Sequence, residues 1–205
     1  MRKGKFDRKP PALRIRDKVL IMCGGETEEI YFNHFKSMHK NVLQNVNVKI
    51  ATYKNSNPMA VVKAAIGRKE DFDEVWAVFD MDTFFKEFDD AVSLALNSGV
   101  NCAFSNIAFE YWFYLHIENK TGAMSLNELT TELRKRLGFD YGKSSSEIRR
   151  TCIKISEKIF EAENRAQIGH ERHLVNSGMK ASKWCSCTTV YTLTRKLREW
   201  SVSKN

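Results

Sequence analysis

Two rhythms of apolar residues alternate along the chain. Val19-Leu20-Ile21-Met22-Cys23 and Val75-Trp76-Ala77-Val78-Phe79 are short, unbroken apolar runs, as strands buried on both faces require. Between them, Val46, Val48 and Ile50 alternate with polar residues, which predicts a strand over 46–53 with one wetter face. A fourth strand is expected over 100–104. The intervening stretches keep helical spacing. Ile30, Tyr31, Phe32 and Phe35 form the stripe of a helix starting near Glu28, after the Gly24-Gly25 turn and with Thr27 as its cap. Asn55-Ser56-Asn57-Pro58 breaks the second strand and opens a helix running to about Arg68, with Pro58 in its first turn. A third helix is expected over 86–96, stopped by Asn97-Ser98-Gly99.

The resulting order, β-α-β-α-β-α-β, predicts an α/β fold: a small, mostly parallel, Rossmann-like sheet flanked by helices on both faces. Further helices are expected over 108–118, 126–137, 146–166 and 188–200, with 167–183 as a loop. The organisation expected is thus a basic arm at 1–17, an α/β core at 18–120 and a helical C-terminal extension at 121–205. A chain of 205 residues suits one such domain with an appendage.

Composition narrows the function classes. With 42% hydrophobic and 28% charged residues the chain reads as globular. No apolar run approaches the roughly 20 residues that span a bilayer. The N-terminal stretch has no apolar segment of a secretory signal, so a cytoplasmic location and no membrane partner are expected. Five scattered cysteines read as reduced thiols. Cys185 and Cys187 with His170 and His173 raise zinc, but the CxC spacing is too short for the usual knuckle.

Charge is unevenly placed. Residues 1–18 hold eight Lys or Arg against two Asp, most of the net charge of +8. An arm carrying Arg2, Lys3 and Lys5 suits salt-sensitive contact with a phosphate backbone; a solubilising leader is the alternative.

The candidate chemistry lies at the strand ends. Asp80 and Asp82 follow the third strand two positions apart, and on an extended strand they would point the same way. Two such carboxylates repel unless a cation lies between them, and oxygen ligands suit Mg²⁺ or Mn²⁺. The alternative is one helix-capping aspartate and one solvated. Residues 24–26, 80–82 and Ser105-Asn106 all fall at C-terminal strand ends, where parallel sheets bind ligands. Lys143, before a Ser-rich capping stretch, is a candidate phosphate contact. Lys183, with Lys180 and Trp184, combines cations with a ring as single-strand binders do, solvated surface being the other reading. Trp112, Phe113 and His116 read as packing residues.

Several of these segments together resemble the RloB-like family. Residues 21–32, Ile-Met-Cys-Gly-Gly-Glu-Thr-Glu-Glu-Ile-Tyr-Phe, are similar to its apolar strand leading into EGxTExxYF. Phe79-Asp80-Met81-Asp82 resembles its DxD, and 105–112 with Leu115-His116 its SNPxFExW…LH segment. Thr188-Thr189-Val190-Tyr191 resembles the tail of its NPSTxV motif. The resemblance implies a Toprim-like domain, phage defence, an ATPase partner and a Mg²⁺-dependent nuclease. It also implies that Asp80 and Asp82 bind metal and that a first-strand glutamate does acid/base work. In this chain Gly24 stands at that glutamate, Ile107 at the proline of SNP and Cys185-Ser186 at the NP of NPST. Glu26, in the same loop, and Glu110, where a helix dipole favours a carboxylate, are the catalytic candidates that remain. Without either, the chain reads as a silent subunit that binds nucleic acid or an ATPase. DNA, tRNA and other RNA all remain open as substrates.

Overall fold

The structure, a computed structural model, describes residues 17–53, 57–120, 122–175 and 180–200. Arg2, Lys3 and Lys5 of the basic arm lie outside the described residues.

Five strands form one sheet in the order β2-β1-β3-β4-β5. They are β1 (Asp17–Cys23), β2 (Val46–Thr52), β3 (Glu74–Asp80), β4 (Asn101–Asn106) and β5 (Cys187–Thr188). The first four run parallel, as the β-α-β order requires. Helices α1 (Glu26–Met38), α2 (Pro58–Ile66) and α3 (Phe85–Asn97) make the crossovers. Asn57 caps α2 by accepting the Ala60 N–H at 3.2 Å, and Pro58 takes the first helical position, where its missing N–H costs nothing. The cap of α1 differs from expectation. Gly25 is the cap residue, in extended backbone, and Thr27 lies inside the first turn.

Alternation along the strands separates two cores. Leu20, Met22, Val75, Ala77 and Phe79 face α2 and α3. Val19, Ile21, Val48, Trp76 and Val78 face a thicker layer of α1 with α4 (Glu110–Ile117), α5 (Leu126–Leu137), α6 (Ser145–Ile155), α7 (Ile159–Val175) and α8 (Val190–Glu199). Trp112 and Phe113 are fully buried there. So is His116, whose Nδ1 lies 2.9 Å from the Trp112 carbonyl; burial pushes its pKa down to about 4. All three are packing residues.

The C-terminal half departs from its periodicity in two places. The helix expected over 146–166 is two, α6 and α7, divided by a 3-10 turn at Ser156–Lys158. Helix α7 then continues to Val175, through residues expected to form a loop. Its buried positions are Ile159, Ala162, Glu163 and Ala166, which carry almost no apolar stripe to read. Glu163 instead binds α8 through charge: it pairs with Arg195 Nε at 3.4 Å and with Arg198, and accepts the Thr194 hydroxyl at 2.8 Å. The second departure is β5, where a helix was expected to begin at about Thr188. Its two residues pair antiparallel with β4, Ser105 opposite Thr188 and Asn106 opposite Cys187. No described helix is long and apolar enough to cross a membrane.

Candidate active site

Strands β1, β3 and β4 are adjacent, and their C-terminal ends open onto one cleft of about 230 Å³. The chain turns from β1 to one side of the sheet and from β3 to the other, so the cleft lies where the strand order reverses, the usual ligand position in open α/β sheets. The β1–α1 turn contributes Gly24, Gly25, Thr27 and Glu28. The end of β3 contributes Asp80 and Asp82, the start of α4 Phe109 and Glu110, and the α5–α6 connection Lys143.

Asp80 is the last residue of β3 and is half-buried, with the Phe109 backbone amide near enough to favour its charged form. Asp82 reaches the same cleft by another route than strand alternation. The strand has ended, and Asp82 takes φ +40° in a turn whose Asp82 N–H donates to the Ile107 carbonyl at 2.9 Å. Aspartate tolerates that left-handed region better than most residues. The Met81 N–H likewise donates to the Ser105 carbonyl at 2.9 Å, so the two loops are laced together. The Asn106–Ile107 peptide between them is cis.

Glu110 begins α4 and is 2% exposed. Its Oε1 accepts the Tyr141 hydroxyl at 3.2 Å and lies 3.6 Å from Lys143 Nζ. Lys143 is held there by the entry to α6, where Ser144 and Glu147 form a reciprocal capping box immediately after it.

Glu28 is the acid that sequence reasoning missed. It is buried at the third position of α1, and its carboxylate folds back so closely that a Cβ on Gly25 would lie 2.9 Å from its Oε2. A usable signal existed: Glu28 precedes Tyr31, Phe32 and Phe35 by three, four and seven residues, which puts it on the inward stripe. Glu26, two residues away, lies more than half a turn round the helix. It is exposed, accepts the Ser145 hydroxyl and does not line the cleft. Lys183 is exposed in the 3-10 turn Ala181–Lys183, whose neighbour Ser182 donates to Asp89 on α3, and it too is outside the cleft.

The carboxylates are electrostatically frustrated. Burial, then the charges of Asp80 and Glu110, raise Glu28 to about 8. Burial, then Glu110 and Asp82, raise Asp80 to about 7. Lys143 offsets both in part. A hard divalent cation would relieve this repulsion, and an all-oxygen donor set suits Mg²⁺ or Mn²⁺ in kind. Among the described residues, no three His, Cys, Asp or Glu side chains stand close enough together to hold a metal as they are. The same holds for the Cys/His group near the C-terminus. There His173 stacks on Trp184 at 5.4 Å, His170 Nδ1 lies 3.0 Å from the Tyr191 hydroxyl, and Cys187 is buried in β5.

Gly24 packs against β3, its N–H donating to the Val78 carbonyl at 2.8 Å. A Cβ there would meet Val61 Cγ2 and the Val78 carbonyl oxygen at 3.4 Å, an ordinary contact, so the backbone there admits a side chain's first carbon.

The model of the RloB-like protein family matches residues 19–197, which is nearly the whole chain. No curated protein and no solved structure matches. The chain belongs to the RloB-like family.

Proposed function

We propose that this RloB-like protein is a metal-dependent phosphodiesterase acting on nucleic acid in phage defence, through a Toprim-like use of its strand-end cleft. One observation carries the reading: four carboxylates from three adjacent strand ends line a single cleft with one lysine. Asp80 and Asp82, with Glu110 beside them, would hold Mg²⁺ or Mn²⁺. The ion's contribution would be to polarise the scissile phosphate and acidify the attacking water. Glu28 takes the acid/base role left open at Gly24: it accepts the proton of the water whose oxygen attacks phosphorus as the P–O bond to the leaving strand breaks. Lys143 faces the charge that develops on the phosphoryl oxygens. The ATPase partner implied by the family resemblance belongs to the proposal as well.

The test is cleavage of plasmid, single-stranded DNA and tRNA with Mg²⁺ or Mn²⁺. Activity should vanish in Asp80→Ala and fall about 10²- to 10⁴-fold in Glu28→Gln, the usual worth of general acid/base help. Undiminished cleavage by Asp80→Ala would overturn the reading. Gly24 favours a second one, a silent binding subunit. Cleavage by Gly24→Glu alone, which the backbone there can accommodate, would select it.

A further inference from the structure

A second cleft, of about 190 Å³, has the opposite character. It lies between the end of α4, the outer face of α7 and the segment entering β5. Lys120, Arg165, Arg172 and His173 line it, and no carboxylate does. Arg165 is fixed by a 2.7 Å hydrogen bond from Nη1 to the Leu115 carbonyl. Tyr111 fixes the loop after α4 by donating to the Lys120 carbonyl at 3.3 Å. Lys120 and Arg172 are exposed, and neither has an ion-pair partner among the described residues.

The floor of this cleft is Gly169, in the middle of α7. A mid-helix glycine costs about 1 kcal/mol relative to alanine. No packing constraint explains it, since a Cβ there would meet nothing within 4 Å. What the glycine does is leave room over the helix backbone between Arg165 and Arg172, one turn to either side.

The start of α4 contributes to both clefts. Consecutive residues at the start of α4 divide between them, Glu110 lining the acidic cleft and Tyr111 the basic one. We infer that the basic cleft binds a backbone phosphate of the nucleic-acid strand whose scissile phosphate enters the acidic cleft. The inference rests on the nucleic-acid reading of the acidic cleft given above. Three cations around a carboxylate-free hollow suit a phosphate diester, and exposed lysine and arginine that give up counterions to it make binding salt-dependent.

The test is anisotropy of a fluorescein-labelled single-stranded oligonucleotide bound to the full chain in EDTA, titrated with salt. Lys120→Gln/Arg172→Gln should weaken binding about 25-fold at about 0.1 M salt, and lower the slope of log K on log salt by about 1.4, or 0.7 per cation. Gly169→Met, which fills the hollow and improves helix propensity, should weaken binding while leaving thermal stability unchanged or higher. Unchanged affinity and slope in the double variant, or no binding by the parent protein, would overturn the inference. So would inorganic phosphate stabilising the parent but not the double variant while the oligonucleotide slope stays constant, since that marks a site for free phosphate. Asp80-dependent cleavage with an unchanged slope would sink this inference alone. A reduced slope without cleavage would sink only the phosphodiesterase reading.

Discussion

Lys143 Nζ lies 3.6 Å from Glu110 Oε1, with the lysine side chain 65% exposed and the glutamate 2% exposed. The pair is therefore lopsided: a solvated cation partly neutralises a buried carboxylate cluster. Because Lys143 is screened by water, its worth to stability is under about 1 kcal/mol. Lys143→Gln should lower the metal-free melting temperature slightly, and more at pH 8 than at pH 5, where Glu28 and Asp80 are protonated and no longer add to the charge it offsets. Thermal unfolding at the two pH values checks this, and an equal loss at both would contradict it.

The acidic cluster also sets a pH dependence. Glu28 rises from 4.5 to about 8 on folding and Asp80 from 3.8 to about 7. The folded protein thus binds more protons than the unfolded chain between those limits, and stability falls as pH rises through 7 and 8. Urea unfolding in EDTA should show this decline from pH 5 to 8, and Asp80→Asn should flatten it. Excess Mg²⁺ should raise the midpoint more at pH 8 than at pH 5.5. A midpoint insensitive to Mg²⁺ at pH 8 would count against metal binding by these carboxylates.

His116 works in the other direction. Its folded pKa of about 4 is below the ordinary 6.5, so its contribution is present above pH 6.5 and lost as pH falls toward 4. Between pH 6.5 and 4.5 it opposes the gain from the carboxylates. His116→Gln should therefore steepen the rise of the urea midpoint between pH 6.5 and 4.5 relative to the parent. Parallel profiles would mean that the ring is not buried neutral.

Gly25 is needed for the site more than for the fold. Its backbone is extended, at φ −151°, so alanine introduces no strain, yet the added Cβ would meet Glu28 Oε2 at 2.9 Å. The carboxylate is the far end of a flexible side chain and can move aside. Gly25→Ala should therefore cost at least about 10-fold in cleavage while shifting stability by less than about 0.5 kcal/mol. Full activity would show that the position of Glu28 is unimportant.

Glu163 joins α7 to α8 by pairing with Arg195 and Arg198 while 1% exposed. Glu163→Ala leaves two guanidinium groups without their shared partner and should destabilise the protein by about 3 kcal/mol. Chemical denaturation measures it directly; a loss below about 1 kcal/mol would mean that solvent replaces the carboxylate.

How much could be read in advance follows from the range of each interaction. The four parallel strands and their crossover helices were legible because runs such as Val75-Trp76-Ala77-Val78-Phe79, and caps such as Asn57-Pro58, act over a few residues. The second half of helix α7, after residue 166, was not, because α8 holds the helix through a buried glutamate rather than an apolar stripe. Strand β5 was not either, because two residues carry no period and its only template is β4.

The same division runs through the cleft. The sequence by itself determined an α/β order with Asp80, Asp82, Glu110 and Lys143 available near strand or helix ends, since those positions follow from local periodicity. Only the tertiary structure decided which acid of 26–29 faces them. That choice depends on how α1 is rotated about its own axis, and burial of Tyr31, Phe32 and Phe35 in the core shared with distant helices, Tyr31 against Phe109 and Trp112, sets the rotation. It turns Glu28 inward and leaves Glu26 in solvent. The tertiary structure likewise decided that Asp82 enters through a left-handed turn, because the loop is tied to the Ile107 carbonyl rather than extended along the strand.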